Sequence, residues 1–255
     1  MGAVPVSRPD DAARVQKVLA QLGLASRREA EGWIRAGRLT VNGRAATLGM
    51  RVAPQDQIRL DGRLIRRRAP DSAPTPVFLC HRSTGEPLLS ARLAVAGSMA
   101  ARLPRRAGRR FISISPLPAV DGGLELLTSD GAAAARLQRA MRGQEMEFSV
   151  RVRGELSAEQ QQAIQTGKLD QGSIRILLLE PSGGAASNRW YRLIAVGASG
   201  NEVRQLFERS AVTLVRMLRT RIGALSLPRT LSRGHWRALT DEELASLLGS
   251  PDSDR

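Results

Sequence analysis

Soft metal ligands are almost absent from this chain. Of its 255 residues one is cysteine, Cys80, and two are histidine, His81 and His235. Three such donors are too few and too scattered for a structural zinc site, and a single cysteine closes no disulfide, so no metal is expected and a reducing compartment fits. Long apolar runs are missing too. The N-terminal stretch has no apolar core of signal-peptide length, and no window approaches the roughly 20 apolar residues that span a bilayer. A cytoplasmic protein without membrane association is expected. Acidic residues are in short supply: 24 Asp and Glu face 39 Lys and Arg, a formal net charge of +15. Such an excess favours a polyanionic partner, nucleic acid first. Lysine is nearly absent, with only Lys17 and Lys168, so the cations are arginines, whose planar fork suits bidentate phosphate contact. A GC-rich genome would enrich arginine in the same way without selection for binding.

What is present organises into two regions, enough to bury one or two cores at 42% hydrophobic content. Val15, Val18, Leu19 and Leu22 recur at helical spacing, so residues 13–22 read as a short amphipathic helix ended by Gly23. A second helix opens at Ser26-Arg27-Arg28-Glu29, a capping box in which Ser26 and Glu29 satisfy each other's amides. Ala30, Trp33 and Ile34 form its apolar face, and Gly37 stops it. Arg27 and Arg28 therefore sit where a helix dipole and free N–H groups already favour phosphate. The period then changes: residues 38–41 read as a strand, Asn42-Gly43 as a tight turn, and residues 57–60 as a later strand closed by Asp61-Gly62. This run closely resembles the small RNA-binding domain named after the fourth small-subunit ribosomal protein, through Lys17, Leu19, Gly23, Ser26, Arg27, Ala30, Ile34, Gly37, Val41, Asn42 and Gly43. The resemblance implies that Arg14, Lys17, Ser26, Arg27, Arg28, Arg35, Arg38, Asn42 and Arg44 form an RNA-binding face.

Residues 66–76 combine Arg66-Arg67-Arg68 with Pro70, Pro74 and Pro76, a composition that reads as an extended tether. The expected organisation is thus a small domain over 12–65, a linker over 66–76, a larger domain over 77–248 and a tail over 249–255. From Val77 onward short strand patterns alternate with helical ones, as α+β domains do. Strands are expected at 77–81, 111–114, 124–128, 146–154 and 190–196, the fourth with Phe148, Val150 and Val152 on one buried face. Helices are expected at 131–141, near 202–208 and around Glu242-Glu243-Leu244.

The central stretch Ser115-Pro116-Leu117-Pro118-Ala119-Val120-Asp121-Gly122-Gly123-Leu124-Glu125-Leu126-Leu127-Thr128-Ser129-Asp130-Gly131 resembles the motif G-R-L-D-x-x-[T/S]-x-G-L-L-L-L-T-x-D-G of the bacterial ribosomal RNA pseudouridine synthases, of the 16S small-subunit type and their large-subunit relatives. The resemblance runs from about residue 13 to 248. It implies an α+β fold, with the small helix-rich domain ahead of a mixed-sheet domain with flanking helices, and chemistry that needs no cofactor. In that family an aspartate acts at the sugar of a flipped uridine, an arginine or lysine holds it ionised, and a tyrosine stacks on the base. Here the aspartate position is Pro118, the preceding Arg and Gly are Pro116 and Ser115, and the tyrosine is Phe148, a candidate for base stacking or simply for the core. The family's Asn-Lys-Pro-x-Gly is His81-Arg82-Ser83-Thr84-Gly85, in which only the glycine agrees.

Proline offers neither nucleophile nor proton acceptor, so no catalytic residue is assigned. The reading is a catalytically silent RNA-binding protein on a pseudouridine synthase scaffold, acting as a monomer on ribosomal RNA or an assembling ribosomal subunit. The alternative is an active ribosomal RNA uridine isomerase that uses a displaced carboxylate, Asp121 being the nearest.

Overall fold

The computed structural model describes residues 12–22, 24–66, 75–89, 97–104, 110–185 and 187–249. The end of the first helix at Gly23, most of the tether and nearly all of the tail therefore lie outside the described residues. Two compact units result: the described residues up to Arg66 together with Arg110, and the remainder from Thr75 on.

In the first unit β1 (Ala13–Arg14) leads into α1 (Val15–Gln21), followed by α2 (Arg27–Arg35), β2 (Leu39–Val41), β3 (Arg44–Ala45), β4 (Arg51–Val52), β5 (Ile58–Leu60) and β6 (Arg63–Leu64). The first helix starts two residues later than its periodicity suggests, because Ala13 and Arg14 pair with Val52 and Arg51 instead. The capping box forms: the Glu29 amide donates to Ser26 Oγ at 3.1 Å and the Ser26 amide to Glu29 Oε2 at 3.2 Å. Val15, Leu19, Ala30, Ile34, Leu39, Val52 and Ile58 bury together as one core. At the tight turn Asn42 and Gly43 both take positive φ, 50° and 81°, which the Asn-Gly pair tolerates at little cost.

The second unit contains β7 (Val77–Arg82), β8 (Ile112–Ser113), β9 (Gly122–Thr128), α3 (Gly131–Ala140), β10 (Glu145–Arg153), α4 (Ala158–Gln165), β11 (Arg175–Ala185), β12 (Asn188–Val196), α5 (Gly200–Arg209), β13 (Leu214–Ile222), β14 (Leu225–Ser226), β15 (Trp236–Ala238) and α6 (Asp241–Leu248). One mixed sheet runs in the order β11-β12-β10-β13-β9-β7-β15, with β14 on β13 and β8 on β9. Among the described strands, β13 and β9 alone pair in parallel. The expected strand at 111–114 shortens to Ile112–Ser113, although the Ile114 amide still reaches the Leu126 carbonyl. In β10 Phe148, Val150 and Val152 are fully buried while the residues between them are not, the alternation expected of a half-covered strand.

At the sheet's centre β9 begins with Gly122-Gly123, squeezed between two neighbouring backbones. A Cβ on Gly122 would lie 2.6 Å from the Arg82 carbonyl oxygen, and one on Gly123, whose φ is +97°, 2.3 Å from that of Arg219. Only glycine lets the strands on both sides approach so closely. That approach carries the Arg82 and Arg219 side chains to the loop over residues 115–121.

Candidate functional site

The loop over residues 115–121 is closed around two buried guanidiniums. Arg82, at the end of β7, has 1% of its surface exposed. Its Nε donates to Glu125 Oε1 at 3.1 Å. Nη1 donates to the carbonyls of Glu86 at 2.8 Å and Ala119 at 3.3 Å. Nη2 donates to those of Leu117 at 3.2 Å and Pro118 at 2.9 Å. An arginine has five N–H donors in a planar fork, and here that fork organises the backbone of three consecutive loop residues. Pro118 thus contributes its carbonyl oxygen to Arg82 and offers no side-chain group of its own.

Arg219, in the middle of β13, has no exposed surface. It donates to the Leu124 carbonyl at 2.9 Å, to Ser115 Oγ at 3.1 Å and to the Ser115 carbonyl at 2.7 Å. Glu125 lies between the two arginines, bound to Arg219 Nη2 at 3.1 Å through Oε2 and to Arg82 Nη2 at 3.0 Å through Oε1. Oε1 also accepts from the Leu117 amide at 3.0 Å. Burial pushes the Glu125 carboxyl above its ordinary value against the pull of Arg219 and Arg82, and burial likewise lowers the Arg219 guanidinium.

Asp121, the displaced-carboxylate candidate, is fully buried. Arg204 of α5 grips it on both oxygens, Nε to Oδ2 at 2.6 Å and Nη2 to Oδ1 at 2.5 Å, and the Met217 amide donates to Oδ1 at 3.2 Å. α5 is itself fixed by a capping box between Ser199 and Glu202. Residue 118 thus has no carboxylate, and Asp121 and Glu125 are buried ion-pair partners. Phe148 has no exposed surface and pairs in register with Arg219.

The first unit places its expected site residues unevenly. Arg14, Lys17, Arg27, Arg28 and Arg44 are exposed. The Ser26 hydroxyl is occupied as the cap of α2. Arg35 pairs with Glu31 at 3.7 Å. Arg38 forks onto Asp61 at 2.9 and 2.5 Å and lies 5.9 Å from the Trp33 ring centroid. Asn42 is a turn strut, donating to Asp56 at 2.9 Å and accepting from the Gln57 amide at 2.8 Å. Glu29 pairs with Arg110 at 2.7 Å, which together with its cap bond to Ser26 holds its carboxyl below the ordinary value.

Arg82, Glu125, Arg204 and Arg219 were not singled out from sequence. One signal was there: Glu125 interrupts the apolar run Leu124-Glu125-Leu126-Leu127, and a carboxylate in a strand buried on both faces calls for a buried cation. Among the described residues no group of three or more His, Cys, Asp and Glu could hold a metal ion, and no helix is long and apolar enough to cross a membrane.

Comparison with known proteins agrees with this layout. Residues 13–58 match the S4 domain family. The chain is 37% identical over 241 residues to ribosomal large subunit pseudouridine synthase B of Salmonella typhi, covering 92% of this chain and 82% of that protein. It is 34% identical over 233 residues to the protein of that name from Pseudomonas aeruginosa, covering 91% of this chain but only 60% of the relative's length. Among solved structures, a pseudouridylate synthase superposes with a TM-score of 0.58 at 18% identity, over 92% of this chain and 99% of that one, a likeness of fold. An S4 domain ahead of this mixed sheet, with sequence identity sustained across both regions, makes the chain a member of the bacterial ribosomal RNA pseudouridine synthase family.

Proposed function

We propose that this chain binds ribosomal RNA on a pseudouridine synthase scaffold and does not itself isomerise uridine. The observation that carries the reading is the Arg82 guanidinium seated against the carbonyls of Leu117, Pro118 and Ala119. It occupies the loop from which the family resemblance would have a carboxylate reach the nucleoside. Isomerisation opens a glycosidic bond and rejoins the base through carbon, which needs a carboxylate at the sugar. Asp121 could supply one only by leaving Arg204 and the Met217 amide, which would strip the partly buried Arg204 guanidinium of its counter-charge.

In this reading residues 12–65 anchor structured RNA through Arg14, Lys17, Arg27, Arg28 and Arg44, and residues 77–248 present a second, catalytically silent body to the same partner. The names of the relatives point to large-subunit ribosomal RNA as the target class. A cytoplasmic monomer acting on that RNA, or on an assembling ribosomal particle, is the corresponding form.

The test is to incubate the purified chain with unmodified ribosomal RNA and with partly assembled subunits, then map pseudouridine chemically, with Asp121→Asn in parallel. No new pseudouridine is expected from either. Modification by the parent chain that disappears in Asp121→Asn would establish an active enzyme with a displaced carboxylate and overturn the proposal.

A further inference from the structure

We infer that a second RNA-binding surface lies on the face of the large sheet turned away from Phe148, centred on Arg151, Arg216 and Trp190, and that it takes an unpaired nucleotide with its phosphate. This rests on the RNA-binding reading above and adds a site to it. Because Phe148, Val150 and Val152 point into the core, Ser149, Arg151 and Arg153 stand on the opposite face of β10. The register puts Arg216 of β13 directly beside Arg151 on one side and Trp190 of β12 directly beside it on the other. Adjacent strands are about 4.8 Å apart, so the three side chains form one row across three strands.

Like charges directly opposite each other in an antiparallel pair destabilise it. The protein carries Arg151 against Arg216 all the same, and among the described residues neither they nor Arg153 make an ion pair. Elsewhere on the same sheet carboxylates are supplied: Arg192 has Glu147 at 2.9 Å and Glu180 at 3.2 Å, and Arg221 has Glu145 at 3.2 Å. Arg189, next to Trp190, likewise has Glu155 at 3.1 Å, so Arg151 and Arg216 stand out as cations given no carboxylate. Arg151 Nε is buried without a hydrogen-bond partner, and its guanidinium sits 6.0 Å from the Trp190 ring centroid. A β-bulge between Arg151 and Val152 interrupts the β10–β13 ladder at this point, the sort of irregularity that re-aims side chains beside a binding site.

Two unpaired guanidiniums next to a partly exposed indole match what a single strand of RNA presents: a phosphate to bridge the cations and a base face to stack. A duplex would offer the phosphates but no free base face. An acidic protein segment would satisfy the charges and leave the indole unused.

The experiment uses the full chain and a fluorescein-labelled single-stranded RNA oligonucleotide, with affinity measured over a range of salt. Arg151→Gln/Arg216→Gln is expected to weaken binding at least tenfold and to lower the slope of log affinity against log salt by roughly 0.7, the value for one neutralised phosphate on a single strand. Trp190→Leu is expected to weaken binding about tenfold with the slope unchanged, since it removes stacking and no charge. Arg151→Lys should keep the slope and so exclude misfolding as the cause. Arg27→Glu/Arg28→Glu is measured alongside. If that variant loses affinity and the sheet variants do not, the sheet face is no RNA site, whereas RNA binding by the chain stands. If the parent chain binds no RNA at all, the proposed function fails and this site with it.

Discussion

Arg219 and Glu125 form a salt bridge of 3.1 Å in which neither side chain has any exposed surface. Glu125 is shared with Arg82, so one carboxylate compensates two buried cations, and the two guanidiniums between them bind the carbonyls of Ser115, Leu117, Pro118 and Ala119. Stripping three charged groups of water is costly, and such a triad survives only when nearly every donor and acceptor finds a partner. Here the partners are the backbone of the central loop. The network that holds the scaffold together is thus also the one that fixes the backbone of the central loop.

Removing the shared carboxylate should therefore be felt strongly. Glu125→Gln leaves two buried guanidiniums without a counter-charge and is expected to cost ~3–5 kcal/mol in chemical denaturation. Replacing the whole triad, with Arg82→Met, Glu125→Leu and Arg219→Leu together, is expected to cost less than that single change. A Glu125→Gln chain within ~1 kcal/mol of the parent would mean that the network does not support the loop.

Backbone proximity at the centre of the sheet gives an independent prediction. Gly123→Ala must put a Cβ 2.3 Å from the Arg219 carbonyl at a φ of +97°, so strand β9 has to separate from β13. A loss of at least ~2 kcal/mol is expected from the strained φ and the clash together. Gly143→Ala, with nothing within 4 Å of the added carbon, is the control and should change stability by less than ~1 kcal/mol. Equal behaviour of the two variants would contradict the close approach.

Periodicity and capping made much of the fold legible. The Ser26–Glu29 box, the Asn42-Gly43 turn and the alternation through Phe148, Val150 and Val152 are local signals, and each forms as its residues imply. What stayed hidden depends on contacts distant in the chain. The first helix gives up residues 13 and 14 because Arg51 and Val52, far along the chain, pair with them. β11 runs through Pro181-Ser182-Gly183-Gly184 to Ala185, and those residues carry no strand signal; that half of the strand exists by pairing with β12. At the site, position 118 could be read as lacking its carboxylate, but not that Arg82, 36 residues earlier, would take hold of its carbonyl. The burial of Asp121 was equally out of reach, since it follows from Arg204, 83 residues away.

Acid should weaken the attachment of the last helix. Arg237 forks onto Glu243 at 2.7 and 2.6 Å, and that hydrogen bonding holds the Glu243 carboxyl below its ordinary value of 4.5. A carboxyl depressed in the folded state contributes stability above its unfolded value and loses that contribution as pH falls through the folded one. The destabilisation caused by Glu243→Gln is accordingly expected at neutral pH and to shrink between about pH 5 and 3. Thermal melts of parent and variant across that range decide it, and a gap that stays constant down to pH 3 would rule out this pair as the origin.

RNA anchoring by the first unit makes the sharpest demand on named residues. Arg27 and Arg28 are exposed in the first turn of α2, and the Ser26 hydroxyl that caps the helix is held by the Glu29 amide whatever stands at 27 and 28. Negative side chains suit a helix N-terminus, so Arg27→Glu/Arg28→Glu should leave the melting temperature of the chain nearly unchanged. Binding should respond very differently, because two phosphate contacts are lost and two repulsive charges put in their place. Affinity for structured ribosomal RNA fragments is expected to fall by more than tenfold, alike for different sequences, with a shallower dependence on salt. Phosphate contacts carry register and affinity but little sequence information, which is why the loss should be uniform. A variant that melts like the parent yet keeps its affinity and its salt slope would show that this helix start does not face RNA.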